Sequence, residues 1–314
     1  MKILQKIDKL PGGIILVPML TTALINTICP GALQVGGVTT KLFSTYGTQV
    51  FIGALLFLAG SQFPVKDAPA ALKRGGVLLL GKLLLAVVLT VAYGKLFGPD
   101  GVLGISLLAF CVAAVSLNPG VFLAVASRHG DRIDLPGFGL FNLMVVPTVP
   151  LLILGAMEGL PFDYMSIITT LVPFLLGMLL GNLDPELKSL FAGGTRPTLF
   201  FAGCNFGAAV DLLAVVKTGV SGVVLSLMYI LLLGMGLFLV DRLVLRQRGY
   251  ASAALSCVAG ASVSMPRILA EIMPGLGPYV ESATAQIACC VVITTVFSCF
   301  FTKWVLGRFG TENK

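Results

Sequence analysis

Apolar runs of about 20 residues, parted by short polar and basic turns, recur from one end of this chain to the other. Each run is long enough to cross a bilayer as a helix. The pattern predicts ten spans, at residues 12–29, 46–63, 74–97, 101–128, 135–156, 164–182, 196–216, 219–241, 251–273 and 281–305. Two spans carry interior breaks. The fourth holds Ser116-Leu-Asn-Pro-Gly120. In the ninth, Ser256, Gly260, Ala261, Ser262 and Ser264 run into Pro266, with Arg267 next and Glu271 a turn later. Proline lacks an amide hydrogen and clashes with the preceding turn, so this helix is expected to break near Ser264–Pro266. Broken backbone at membrane depth survives only where protein or a water-filled cavity satisfies its polar groups.

The two halves echo each other. Leu16-Val-Pro-Met-Leu20 in span one matches Leu171-Val-Pro-Phe-Leu175 in span six. Ala59-Gly-Ser-Gln-Phe63 in span two matches Ala202-Gly-Cys-Asn-Phe206 in span seven. Cys111-Val-Ala113 before Asn118-Pro119 matches Cys257-Val-Ala259 before Met265-Pro266. Three matches in the same order imply a duplicated five-span unit, residues 1–157 and 158–314. Five is odd, so the second copy enters the membrane upside down. Inverted repeats with interrupted helices in corresponding places are the architecture of secondary transporters, with the site near the midplane.

Composition agrees with a membrane class: 57% of the 314 residues are hydrophobic and 11% charged, against about 25% charged in soluble domains. No polar stretch is long enough for a separate soluble domain, so one membrane domain is expected. Most basic residues, from Lys2, Lys6 and Lys9 to Lys303, Arg308 and Lys314, fall on one side of the ten spans, and only Lys41, Lys95 and Lys217 on the other. That bias predicts a multi-pass inner-membrane protein with both termini cytoplasmic. The net charge of +7 sits in short inter-span loops and gives no sign of nucleic-acid binding. The seven cysteines show no CxxC spacing and read as buried small hydrophobes. There is no nucleotide-binding glycine loop, no metal-ligand cluster and no catalytic triad set, so neither an enzyme nor a metal or organic cofactor is expected. The partners expected are a small organic anion and the lipid bilayer, with a second copy of the chain, as a homodimer, a further candidate.

Several polar residues inside spans are candidates for chemistry. Asn118, Pro119 and Gly120 end one half-helix and begin another, where unpaired amides suit a carboxylate; a plain proline kink is the simpler reading. Ser262, Ser264 and Arg267 occupy the matching break, and an arginine there could clamp a carboxylate or pair with Glu271. Lys82 lies in the middle of span three, where a charge is expensive and points to substrate charge or proton coupling; snorkelling is the alternative. Ser61, Gln62 and Asn205 end the paired motifs and suit hydroxyls or an ion, or else bond between helices. Asp211 is the acid deepest in sequence within a span and Glu271 follows the ninth break; both are candidates for an ion or coupling site, though Asp211 reads more simply as lying near the outer surface with Lys217.

These runs carry a family resemblance. Pro11-Gly-Gly-Ile-Ile-Leu-Val-Pro18, Gly181-Asn-Leu-Asp-Pro-Glu-Leu187, Val210-Asp-Leu212 with Lys217-Thr-Gly219, and Ala259-Gly-Ala-Ser-Val-Ser-Met-Pro-Arg-Ile-Leu-Ala-Glu271 resemble the bacterial 2-keto-3-deoxygluconate permeases along essentially the whole chain. The resemblance implies uptake of that sugar acid by symport with a cation, a proton first and sodium as the alternative. It also implies likeness to bile-acid–sodium symporters, with a core domain of two crossed broken helices and a panel domain that moves against it. The chain departs from the family pattern at Ser116–Gly120, at Asn142–Pro147 and at Arg267, which points toward another organic carboxylate as the alternative substrate. An integral-membrane enzyme is the reading from a different class.

Overall fold

The computed structural model describes residues 3–7, 13–67, 69, 72–130, 137–160 and 164–310. Lys2, Lys9, Arg132 and Lys314 of the charge bias, and Pro11 and Gly12 of the opening motif, lie outside them. Among the described residues the chain is helical, with a lone bridge between Val102 and Ile105 and no strand. The main helices are α1 (Gly13–Ile28), α2 (Thr45–Gln62), α3 (Val77–Phe97), α4 (Leu107–Val115), α5 (Pro119–His129), α6 (Gly137–Asn142) and α7 (Thr148–Met157). After them come α8 (Tyr164–Leu183), α9 (Pro185–Gly207), α10 (Leu212–Met228), α11 (Met235–Leu239), α12 (Tyr250–Leu255), α13 (Met265–Ile272) and α14 (Val280–Phe309).

Four stretches are long and apolar enough to cross a membrane: Leu72–Phe97, Gly219–Val244, Tyr250–Ile272 and Pro274–Phe309. Shorter apolar helices include Gly13–Ile28, Leu107–Leu123, Thr148–Met157 and Ile167–Leu183. Outward faces are apolar too. Leu80, Leu84 and Val88 line one exposed stripe of α3, and Leu175, Leu176 and Leu179 one of α8. Surfaces of that kind suit lipid tails rather than water. The chain is a multi-pass membrane protein.

Helix contacts sort into two groups. In one, α2 packs on α8, and α9 on both α1 and α2. In the other, α14 packs on α10, α12 and α4, α3 on α4 and α5 on α12, while α6 bridges the two groups, against α5 on one side and α2 on the other. Close backbone approach inside the first group rests on the paired motif glycines. A Cβ on Gly60 would meet the carbonyl of Phe174, and one on Gly203 the carbonyl of Ile15. Small residues allow such crossings where no hydrophobic force draws helices together.

Span five, expected to be continuous over 135–156, is interrupted between Asn142 and Thr148. Pro147, which cannot extend a helix from within, sits just ahead of α7 as its N-cap. Span eight is also irregular: Gly219 takes φ 47°, ψ −116°, and π turns follow at Tyr229–Gly234 and Val240–Val244. Asp241 in the second π turn is buried, and its carboxylate accepts from the Ser252 amide at 3.1 Å and hydroxyl at 2.7 Å, capping α12.

Candidate functional site

Span four breaks after Val115. Ser116 leaves the helix in an extended conformation (φ −63°, ψ 144°), and Asn118 (φ −113°, ψ 94°) caps the next one. The Asn118 carbonyl oxygen accepts from the Val121 amide at 3.2 Å. Pro119 then falls in the first turn of α5, where its missing amide would have had no partner anyway.

Span nine breaks earlier than proline chemistry suggests. The helix ends at Leu255, Ser256–Ala259 are not helical, and Gly260–Ser264 form a 3-10 turn. Pro266 stands in the first turn of α13. It starts that half-helix, while the run of small residues before it makes the break; the expectation at Ser264–Pro266 is corrected accordingly.

The two breaks touch. The Ser116 hydroxyl oxygen accepts from the Ala259 amide at 2.8 Å and from the Ser262 hydroxyl at 2.7 Å. Behind them the Tyr229 hydroxyl donates to the Ser116 carbonyl at 3.0 Å and accepts from Lys82 Nζ at 3.3 Å. Thr294 on α14 accepts from the Val258 amide at 3.0 Å. The Ser116 carbonyl and the Val258 and Ala259 amides, freed by the breaks, therefore find partners on buried side chains, as membrane depth demands.

In front of the crossing lies a narrow cleft between the two helix groups. Asn118, Pro119, Gly120, Ala259, Gly260 and Ala261 line it from the broken helices; Phe138, Asn142 and Val145 line it from span five. Ile15, Ile52, Leu55, Leu56, Leu199 and Phe206 close it from the other group. No charged side chain is among these lining residues. Asn118 Nδ2 and the amides of Gly120, Gly260 and Ala261 make no hydrogen bond to a described residue. Four donors without acceptors, at two half-helix N-termini, constitute an anion-favouring environment. Asn142 Nδ2 donates to the Phe138 carbonyl at 2.6 Å, which leaves its carbonyl oxygen as an acceptor for a hydroxyl.

Of the sequence candidates, Asn118, Pro119 and Gly120 line the cleft, and Ser262 buttresses it through Ser116. Lys82 does not line it; the side chain is 1% exposed and lies behind the crossing, its ammonium 4.4 Å from the centre of the Tyr229 ring. Asn205 and Ser264 meet at one edge through Thr48, whose hydroxyl lies 2.7 Å from Asn205 Oδ1 and 3.4 Å from Ser264 Oγ. Asn205 Nδ2 also donates to the carbonyls of Leu42 and Ser44 at 2.6 and 3.1 Å. Ser61 donates to the Leu58 carbonyl, and Gln62 to Ser61 and the Lys188 carbonyl. Arg267 is exposed. Glu271 is exposed and accepts from Thr45 at 3.3 Å. Asp211 is exposed in the turn after α9, where it caps the Leu213 amide at 2.8 Å; Asp241 is the acid that lies buried. Sequence reasoning missed Asn142, Tyr229 and the amides of Gly260 and Ala261. Asn142 and Tyr229 are isolated polar groups in apolar runs, a legible signal; free amides have none.

A multi-pass helical protein whose uncharged, donor-lined cleft sits at two broken helices has the build of a solute carrier, and the family it belongs to is one of permeases rather than enzymes. The chain belongs to the 2-keto-3-deoxygluconate permease family, whose model matches residues 4–311. It is 34% identical over 308 residues to 2-keto-3-deoxygluconate permease 1 of Salmonella typhimurium, covering 98% of this chain and 96% of that one. Identity to the 2-keto-3-deoxygluconate permease of Bacillus subtilis is 32% over 311 residues, covering 97% and 94%. With that of Pectobacterium carotovorum subsp. carotovorum strain PC1 it is 33% over 293 residues, covering 92% of each. No solved structure matches.

Proposed function

We propose that this permease imports 2-keto-3-deoxygluconate, or a closely related sugar-acid anion, across the inner membrane together with a proton, by alternating access. The observation that carries the reading is the cleft itself. Its free donors at Asn118, Gly120, Gly260 and Ala261 suit a carboxylate, and Asn142 suits a hydroxyl. The printed names of the relatives supply the sugar acid. Sodium is the weaker choice at this cleft, because a hard cation needs several oxygen ligands and the free lining groups are mostly donors.

In this reading the chain forms ten spans as two inverted five-span repeats, with both termini in the cytoplasm. Paired contacts support it. Gln62 at the end of α2 donates to a carbonyl early in α9, and Asn205 near the end of α9 donates to carbonyls just ahead of α2. The group of α1, α2, α8 and α9 shifts against the other to expose the cleft to either side.

The test is thermal stabilisation of detergent-purified protein by a panel of sugar acids and simple carboxylates, at varied pH and sodium. A ligand that binds only the folded state raises apparent stability by mass action. The expected result is a dose-dependent rise with 2-keto-3-deoxygluconate, larger at lower pH and indifferent to sodium. A rise only with unrelated carboxylates in the presence of sodium contradicts it.

A further inference from the structure

We propose that Lys82, lodged behind the helix crossing and tied to it through Tyr229, is the residue that carries the coupling proton. The inference rests on the import reading above and assigns its coupling step to one side chain.

Lys82 is completely enclosed, and no carboxylate pairs with it among the described residues. Its polar contact is the Tyr229 hydroxyl, and its ammonium also lies over the Tyr229 ring. The other titratable groups facing it are the thiols of Cys257 from span nine and Cys290 from α14. From the remaining elements packed on α3, Cys111 of α4 lies further along beside Thr90, and α7 carries no ionisable side chain. Asp241 of span eight has Arg74 and Arg242 as its charged neighbours, and Lys73 and Arg74 stand at the start of the span. A positive charge in this place thus has no resident counter-charge, an expensive arrangement in a membrane interior.

An anion in the cleft changes that balance. Tyr229 donates to the Ser116 carbonyl, and the Ser116 hydroxyl accepts from Ala259, which lines the cleft. The ammonium is therefore two bonded residues, Tyr229 and Ser116, from the wall on which the carboxylate sits. Opposite charges separated by a water-poor gap stabilise each other far more than in water. Proton binding at Lys82 and anion binding at the cleft must then favour each other by the same factor. In the cycle, the amine takes one proton from the side where the anion enters, and the ammonium releases it on the side where the anion leaves. One proton and one monoanion cross together, with no net charge moved.

The test uses the full chain in liposomes, with labelled 2-keto-3-deoxygluconate. Two readouts are compared: exchange without a gradient, and accumulation driven by an inward proton gradient. For the wild type, accumulation rises with the gradient, and affinity falls as pH rises through the range where the amine loses its proton, levelling off at that of a neutral side chain. Lys82→Gln, permanently neutral, is expected to exchange only at raised substrate concentration, with an affinity that does not vary with pH, and to lose gradient-driven accumulation. Lys82→Arg, permanently charged, is expected to bind with less than a twofold change over the same pH range and also to accumulate nothing. This second variant settles the matter if Lys82→Gln fails to fold. Proton-driven accumulation by either variant at the wild-type level overturns the proposal. So does a wild type that exchanges substrate but ignores the proton gradient, which leaves the carrier reading intact. A wild type that exchanges no sugar acid overturns the import reading and the proposal with it.

Discussion

Asn118 divides its side chain between two tasks. Its oxygen holds the Val121 amide and starts α5, while its nitrogen stays available to the cleft. Hydrogen bonds to a charged group contribute about 1.5–3 kcal/mol. Asn118→Ala is therefore expected to weaken sugar-acid binding by roughly ten- to a hundredfold, as read from the ligand concentration needed for half-maximal stabilisation. Ser116 works differently, since it never faces the ligand. Ser116→Ala leaves the Ala259 amide and the Ser262 hydroxyl without their acceptor at the crossing. The expected loss is about 1–3 kcal/mol of stability, seen as a lowered unfolding midpoint with or without substrate.

At the scale of elements, helix breaks and close helix crossings were the most readable features, because glycines and prolines punctuate apolar sequence strongly. The motif glycines lie at helix crossings: Gly203→Leu would drive a side chain into the Ile15 carbonyl and the Pro18 ring, while Gly53 has open space around it. Gly203→Leu is expected to destabilise by about 2 kcal/mol or more, and Gly53→Ala to leave the midpoint unchanged within error. The breaks in spans four and nine were legible, but only partly as to where, and the break in span five was not foreseen. The fourth opened at Ser116–Asn118, just ahead of the Pro119-Gly120 pair read as the interruption, because Asn118 caps a half-helix that proline begins. The ninth opened ten residues before its proline, at Ser256, because tertiary bonds from Ser116 and Thr294 hold that backbone in place. Nearness to Lys217 already pointed Asp211 toward the surface, whereas nothing in span eight marked Asp241 as buried. Asp211 proved exposed and Asp241 buried, a difference set by where α9 ends and how the π turns of span eight wind.

For the whole molecule, the account depends on two helix groups that meet at a cleft and move across it. At one edge they are joined by Thr48 and Asn205 on one group and Ser264 on the other. Joining Thr48→Cys to Ser264→Cys by oxidation is expected to arrest uptake, and reduction to restore it. A crosslinked carrier that transports at the wild-type rate would show that this edge does not open. Lys82, Tyr229 and Ser116 belong to the same scale, since they tie span three through span eight to the break in span four.

The central claim is that the uncoiled crossing grips a sugar-acid carboxylate during transport, and counterflow tests it most directly. Liposomes holding only this chain and unlabelled 2-keto-3-deoxygluconate are diluted into a trace of the labelled compound. The account predicts a transient overshoot of label inside, abolished by Asn118→Asp, which sets a like charge against the substrate. No overshoot from the unaltered chain, or one that Asn118→Asp leaves unchanged, would contradict it.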